Sequence, residues 1–289
     1  MEHNKKESIG KKFVEGILLS AEIMALFLLL QFLVSVVGVM AATTACIILD
    51  GGDIMQAQYA AMKIVMDSNF MTMLTVVATF ISLIFSVSAY WIIWGRKRTA
   101  QDKQYFREKG LRLRTFSMIV IGSCGLYYLA ILIVVVIAMV NPELTENYNE
   151  MMEFTLGGSE ILVVIAAVIL APINEECIMR GLVLKNLQRH FSTPVVIVIQ
   201  AILFGILHAN WVQGIYVLPV GAALGYVAVK CRSVLPSIFM HLFYNALSFV
   251  VGMLPEICQT GGFAIGTVVI SAAAVLYLGK SARTEVCDS

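Results

Sequence analysis

Charge is what this chain has least of. Only 13% of its 289 residues are Asp, Glu, Lys or Arg, against about 25% in an average soluble domain. That scarcity excludes a disordered chain, a nucleic-acid binder and an ordinary cytosolic enzyme. Paired cysteines are missing as well. Cys46, Cys124, Cys177, Cys231, Cys258 and Cys287 stand singly, with no C-x-x-C. They read as small apolar fillers of helix surfaces, with one outer-face disulfide, Cys46 to Cys258, left open. No internal repeat, low-complexity tract or soluble domain is visible.

What the chain has in abundance is apolar surface: 59% of residues are hydrophobic and the mean hydropathy is +0.86. A membrane helix needs about 20 apolar residues, so eight of them fit in roughly 160 positions. The apolar runs lie at about 16–48, 69–94, 116–140, 160–184, 194–209, 215–230, 233–254 and 262–279. The first is far longer than the 7–15-residue core of a cleaved signal peptide, so it is expected to be a retained span. The expected fold is therefore all-α, a polytopic membrane helical bundle of about eight spans in the cell membrane, with the lipid bilayer as its solvent.

The few charges are arranged with a strong bias. Lys5, Lys6, Lys11 and Lys12 precede the first run, and residues 95–114 hold Arg96, Lys97, Arg98, Lys103, Arg107, Lys109, Arg112 and Arg114. Residues 141–160 hold five glutamates and no base. With both termini inside, eighteen of the twenty Lys and Arg fall on cytoplasmic flanks; only Lys63 and the intramembrane Arg180 do not. This is the positive-inside pattern, and it assigns N-in, C-in. The 95–114 loop reads first as a topology determinant, though it can also attract anionic lipid.

Ionisable residues inside spans are costly, so each is a candidate for function. Glu15 and Glu22 lie early in the first span, within reach of the interface, and need no special role. The fourth run, ILVVIAAVILAPINEECIMRGLVLKNLQRH, is different. Glu176 and Arg180 are i and i+4 in the favourable order, so Arg180 neutralises Glu176. Glu175 points about 100° away. It is left as a carboxylate without a local partner, able to take and return a proton. Pro172 just upstream can kink the helix. The fifth run places Phe204 and His208 at i and i+4 with Gln200 on the same stripe, and the seventh does the same with His241 and Asn245. A lone histidine on such a helix is usually a satisfied core residue. Two acids, two imidazoles, an amide and a guanidinium in three apolar spans are harder to dismiss.

E-E-x-x-x-R at 175–180, F-x-x-x-H at 204–208 and H-x-x-x-N at 241–245 resemble, in this order, the CPBP intramembrane peptidases. That group includes the CAAX prenyl endopeptidases and the Abi-type bacteriocin-immunity proteins. The resemblance implies a catalytic transmembrane core over 130–280. Residues 1–129 are then lineage-specific spans with the basic loop, and 281–289 a short cytoplasmic tail. It implies peptide-bond hydrolysis of a membrane-embedded or membrane-anchored peptide, with no nucleic acid involved. Glu175 and His208 would activate water, His241 and Asn245 would hold the oxyanion or support the site, and Glu176, Arg180 and Phe204 would give structural support. Other intramembrane protease signatures, H-E-x-x-H, G-x-S-x-G and G-x-G-D, do not occur. Cys287, third from the end, is one place short of a prenylation box, so the chain is not expected to be a prenylated substrate itself.

Glu175, His208 and His241 offer a His₂Glu set that can bind zinc. Asn245, a poor zinc ligand on the face of His241, suits a hydrogen-bonding pocket better, and the reading carried forward is metal-free. Two other readings stay open. One is a non-catalytic membrane regulator or bacteriocin-immunity protein that retains the motifs. The other is a proton-coupled transporter, for which two-fold repetition would speak.

Overall fold

The computed structural model describes residues 9–49, 54–107 and 112–287. Lys5, Lys6 and Lys109, used in the charge argument, lie outside the described residues, as do the side chains of Lys12, Lys280, Arg283 and Cys287. Among the described residues there is no strand. In chain order we label the helices α1 (Phe13–Leu49), α2 (Ile54–Val65), α3 (Ser68–Ile93), α4 (Ala100–Tyr105), α5 (Leu113–Val140) and α6 (Pro142–Leu156). There follow α7 (Glu160–Leu187), α8 (Thr193–Leu207), α9 (Trp211–Lys230), α10 (Leu235–Val250) and α11 (Gly261–Cys287).

Six of these segments, α1, α3, α5, α7, α9 and α10, are long and apolar enough to cross a membrane, and α8 and α11 are shorter apolar helices. They coincide with the eight expected runs. The chain is a multi-pass integral membrane protein built as a helical bundle. Boundaries are set by local chemistry. The side chains of Asp67, Asn141 and Asn210 accept the free N–H groups that open α3, α6 and α9. Pro142, Pro194 and Pro236 sit in the first turns of α6, α8 and α10, where an N–H would have no partner.

The glutamate-bearing α7 is the central element. Every residue from Glu176 to Leu184 is buried. It packs against α1, α3 and α10. Met24 and Phe27 of α1 join Ile178, Met179 and Val183 of α7 and Phe204 of α8 in one apolar cluster. Asn186 ties α7 to α1 by donating to the Gly16 carbonyl (2.9 Å) and the Ser20 hydroxyl (3.1 Å). The first two spans therefore hold the helix that carries the acidic pair, and position 130 falls inside α5. Helices α8 and α9 form a close hairpin: a Cβ on Gly205 would lie 2.7 Å from the Gly214 carbonyl oxygen, an approach that small residues permit.

On the basic side, Thr99 and Asp102 form a capping box at the start of α4. The Thr99 hydroxyl holds the Asp102 carboxyl below its usual value. Arg98 donates to the Arg232 carbonyl (3.2 Å), so the loop is folded against the α9–α10 turn. Glu15 and Glu22 are exposed, and Glu15 pairs with Lys11 at 3.8 Å. Cys46 and Cys258 are both free thiols. Cys46 packs on Ala57 and Ala61 of α2, whereas the carbonyl of Cys258 accepts from Tyr128, so the disulfide left open by the sequence is not formed.

The orientation yields a direct expectation. Helix α6 carries Glu143, Glu146, Glu150 and Glu153 and should face outward. Cysteine placed at the exposed position 146 should react with a membrane-impermeant maleimide on intact cells, above the background of the unsubstituted chain. Labelling only after permeabilisation would invert the topology.

Candidate active site

The backbone of α7 is unusual where the acids lie. Residues Ile165–Leu170 and Cys177–Val183 are wound as π-helix, on either side of Ala171–Glu176. Such segments are rare and cluster at functional sites. Pro172 explains the first. In the π register its nitrogen would bond the Ala167 carbonyl, but proline has no N–H, and Ala171 N–H bonds Ala166 instead. The orphaned Ala167 oxygen is taken by the Asn245 amide, which donates at 2.8 Å. The helix thus runs through Pro172 by changing its winding. Asn245 commits one N–H to this repair; its second N–H and its oxygen have no such commitment. Asn245→Leu should leave this half-buried carbonyl unsatisfied and cost about 1 kcal/mol of stability, the lower end of the range for an unpaired buried group. Thermal unfolding in detergent checks this, and an unchanged midpoint would refute the repair role.

The two glutamates occupy different environments. Glu176 is fully buried. Its Oε1 accepts from Arg180 Nη1 at 2.7 Å and from His241 Nδ1 at 3.0 Å. Arg180, also fully buried, donates through Nη2 to the Gly221 carbonyl (3.0 Å). The same oxygen accepts from Gln200 at 2.7 Å. The guanidinium lies 4.6 Å from the centre of the Phe204 ring. That ring also meets both imidazoles edge-on, at 4.8 Å for His208 and 5.9 Å for His241. Glu176, Arg180 and Phe204 therefore form one buried unit that fixes α7, α8, α9 and α10 relative to each other.

Glu175 faces the other way, as the 100° offset requires. Its Oε2 is 3.8 Å from His241 Nε2, so the His241 ring stands between the two carboxylates. Glu175 also lines a cavity of about 90 Å³ together with His208. His208 is the residue that closes α8 rather than part of it, and Ala209 next to it has a positive φ of 51°. That left-handed turn ends the helix and sends the chain into α9. His208 Nδ1 lies 2.8 Å from the Phe204 carbonyl oxygen. A carbonyl can only accept, so Nδ1 carries the proton, and in the neutral ring Nε2 keeps its lone pair.

Six of the residues singled out in the sequence, Glu175, Glu176, Arg180, Phe204, His208 and His241, are joined by these contacts, whereas Asn245 is placed by its bond to the Ala167 carbonyl. The sequence reading missed the far wall of the cavity, which comes from the first two spans: Phe27, Leu28 and Gln31 of α1 and Thr79 of α3. It also missed Asn174, next to Glu175. Asn174 donates to Ser82 (3.1 Å) and accepts from Ser86 (2.6 Å), both on α3. A polar residue in mid-span was the available signal in each case. Among the described residues, no three His, Cys, Asp or Glu side chains are placed to hold a metal ion.

Fold and site together define a polytopic helical membrane protein with an acid–imidazole cluster beside a small, partly open cavity. Residues 157–247, from the start of α7 to α10, match the family model "Type II CAAX prenyl endopeptidase Rce1-like". The matched stretch contains all three motifs and supports placing the chain in the CPBP and CAAX protease family, whose activity is that of a membrane protease. No curated protein and no solved structure matches.

Proposed function

We propose that this protein is an intramembrane endopeptidase. It hydrolyses a peptide bond in a membrane-anchored substrate, a prenylated CAAX tail being the class the family match favours. One observation carries the reading: Glu175 and His208 line the same cavity, while the charge of Glu176 is taken up by Arg180 and His241. A water there donates one hydrogen to the Glu175 carboxylate and the other to His208 Nε2. Its oxygen attacks the scissile carbonyl carbon, and Glu175 takes the proton. The oxyanion accepts a hydrogen bond from His241 Nε2 when that ring carries both protons, and the second N–H of Asn245 is a further donor. Glu175 then returns its proton to the leaving amine nitrogen as the C–N bond breaks.

The donor arrangement favours this carboxylate chemistry over a zinc set made of Glu175, His208 and His241. Asn245, on the same face of α10 as His241, is not a metal ligand of choice and suits a hydrogen-bonding pocket better. Activity is expected to survive chelation. Stoichiometric zinc, with activity lost to a chelator and restored by metal alone, would reverse this choice.

The test is a peptidome comparison of membranes holding wild-type protein or Glu175→Gln at equal abundance. New C-termini close to membrane anchors should arise only with wild type. Identical peptidomes would sink the enzymatic reading and leave a non-catalytic regulator.

A further inference from the structure

The cavity that holds Glu175 and His208 is completed by two polar side chains from spans outside the family match, Gln31 of α1 and Thr79 of α3. Gln31 is eighteen residues from either end of α1, which places its amide at roughly the middle of the bilayer. Thr79 is buried, with 5% of its surface exposed. Neither side chain makes a hydrogen bond among the described residues. Their neighbours behave differently: Ser35, Thr43 and Thr75 each donate to the carbonyl one turn back, at 3.0, 2.9 and 2.9 Å. An amide and a hydroxyl left without partners at this depth are costly. Both line the space that the proposed nucleophile occupies.

We infer that Gln31 and Thr79 form a subsite that binds the main chain of the substrate peptide beside the scissile bond. A glutamine amide offers a donor and an acceptor together, which matches the C=O and N–H of an extended peptide entering an apolar site with no water to satisfy it. The Thr79 hydroxyl supplies one more donor or acceptor. With a volume of about 90 Å³, the cavity has room for about three waters, enough for a peptide unit. Phe27 and Leu28 give the same wall an apolar lining. The two N-terminal spans thereby contribute to substrate recognition as well as to packing.

This inference rests on the proposed hydrolase reading, and binding measured apart from cleavage separates the two. The probe is a fluorescent prenylated CAAX peptide, with a second version N-methylated at the nitrogen next to the scissile bond. Affinity is read by anisotropy on the Glu175→Gln protein in proteoliposomes. Gln31→Leu should weaken binding of the parent peptide about tenfold with an unchanged unfolding midpoint, and Thr79→Val should weaken it severalfold. Thr79→Ser should restore binding. In otherwise wild-type protein, Gln31→Leu should raise KM rather than lower kcat. The N-methylated peptide should bind weakly, and Gln31→Leu should add little to that loss. Unchanged affinity in folded Gln31→Leu and Thr79→Val proteins would overturn the subsite. Normal binding that depends on Gln31, with no cleavage by wild type, would keep the subsite and reject the hydrolase. Absence of binding by every form would overturn the subsite, while the peptidome comparison still decides the hydrolase independently.

Discussion

Glu175→Gln is expected to lower turnover by about 10³-fold or more, at the upper end of what a positioned general base contributes, without a measurable loss of folded protein. The physical reason is where the carboxylate sits. Glu175 lines the cavity, and the His241 imidazole stands 3.8 Å from its carboxylate, so no tight ion pair is broken. The glutamine amide keeps the volume and an oxygen acceptor, but it cannot take a proton from water. Turnover of a prenylated CAAX peptide and thermal unfolding in detergent, measured on the same preparation, give both halves of the expectation. A variant that keeps half its activity would remove Glu175 from the chemistry.

Glu176→Gln should behave in the opposite way, with a stability loss of about 3–5 kcal/mol, the usual penalty for stranding one member of a buried ion pair. Arg180 has no exposed surface and cannot reach water when its counter-charge is removed. The Gly221 carbonyl and the Phe204 face remain as partners, but neither carries a full negative charge. The amide oxygen introduced by the substitution can still accept from His241, so the defect is one of charge rather than of hydrogen-bond count. Arg180→Met should cost a similar amount by leaving Glu176 buried and charged. The double variant, with both charges gone, should be milder than the sum of the singles. Additive unfolding shifts would refute the pairing.

The parts of this fold legible in the sequence are those decided locally. Spans follow from runs of apolar residues, and the Glu176–Arg180 pair from i,i+4 spacing on one helix. The divergence of Glu175 from Glu176 follows from the helical angle. Contacts between distant segments were not legible. Nothing in the run around Ser82 and Ser86 indicates that they bond Asn174, because small hydroxyl residues are ordinary in membrane helices and usually bond their own backbone. Spacing presents Asn245 as a donor to the site and does not reveal its bond to Ala167. That bond depends on a π register that proline permits but hydropathy does not show. Residues 1–129 carry none of the three motifs, and motif extent alone does not reveal that packing of α1 and α3 on α7 builds the cavity wall.

The central claim is that Glu175 delivers water to a peptide bond inside the membrane. Its most direct test is single-turnover incubation of the purified protein in proteoliposomes with a prenylated CAAX peptide in H₂¹⁸O, read by mass spectrometry. The account predicts a shortened peptide with ¹⁸O in its new carboxylate from wild type, and intact peptide from Glu175→Gln. Intact peptide from wild type, or equal ¹⁸O incorporation by the variant, would contradict it.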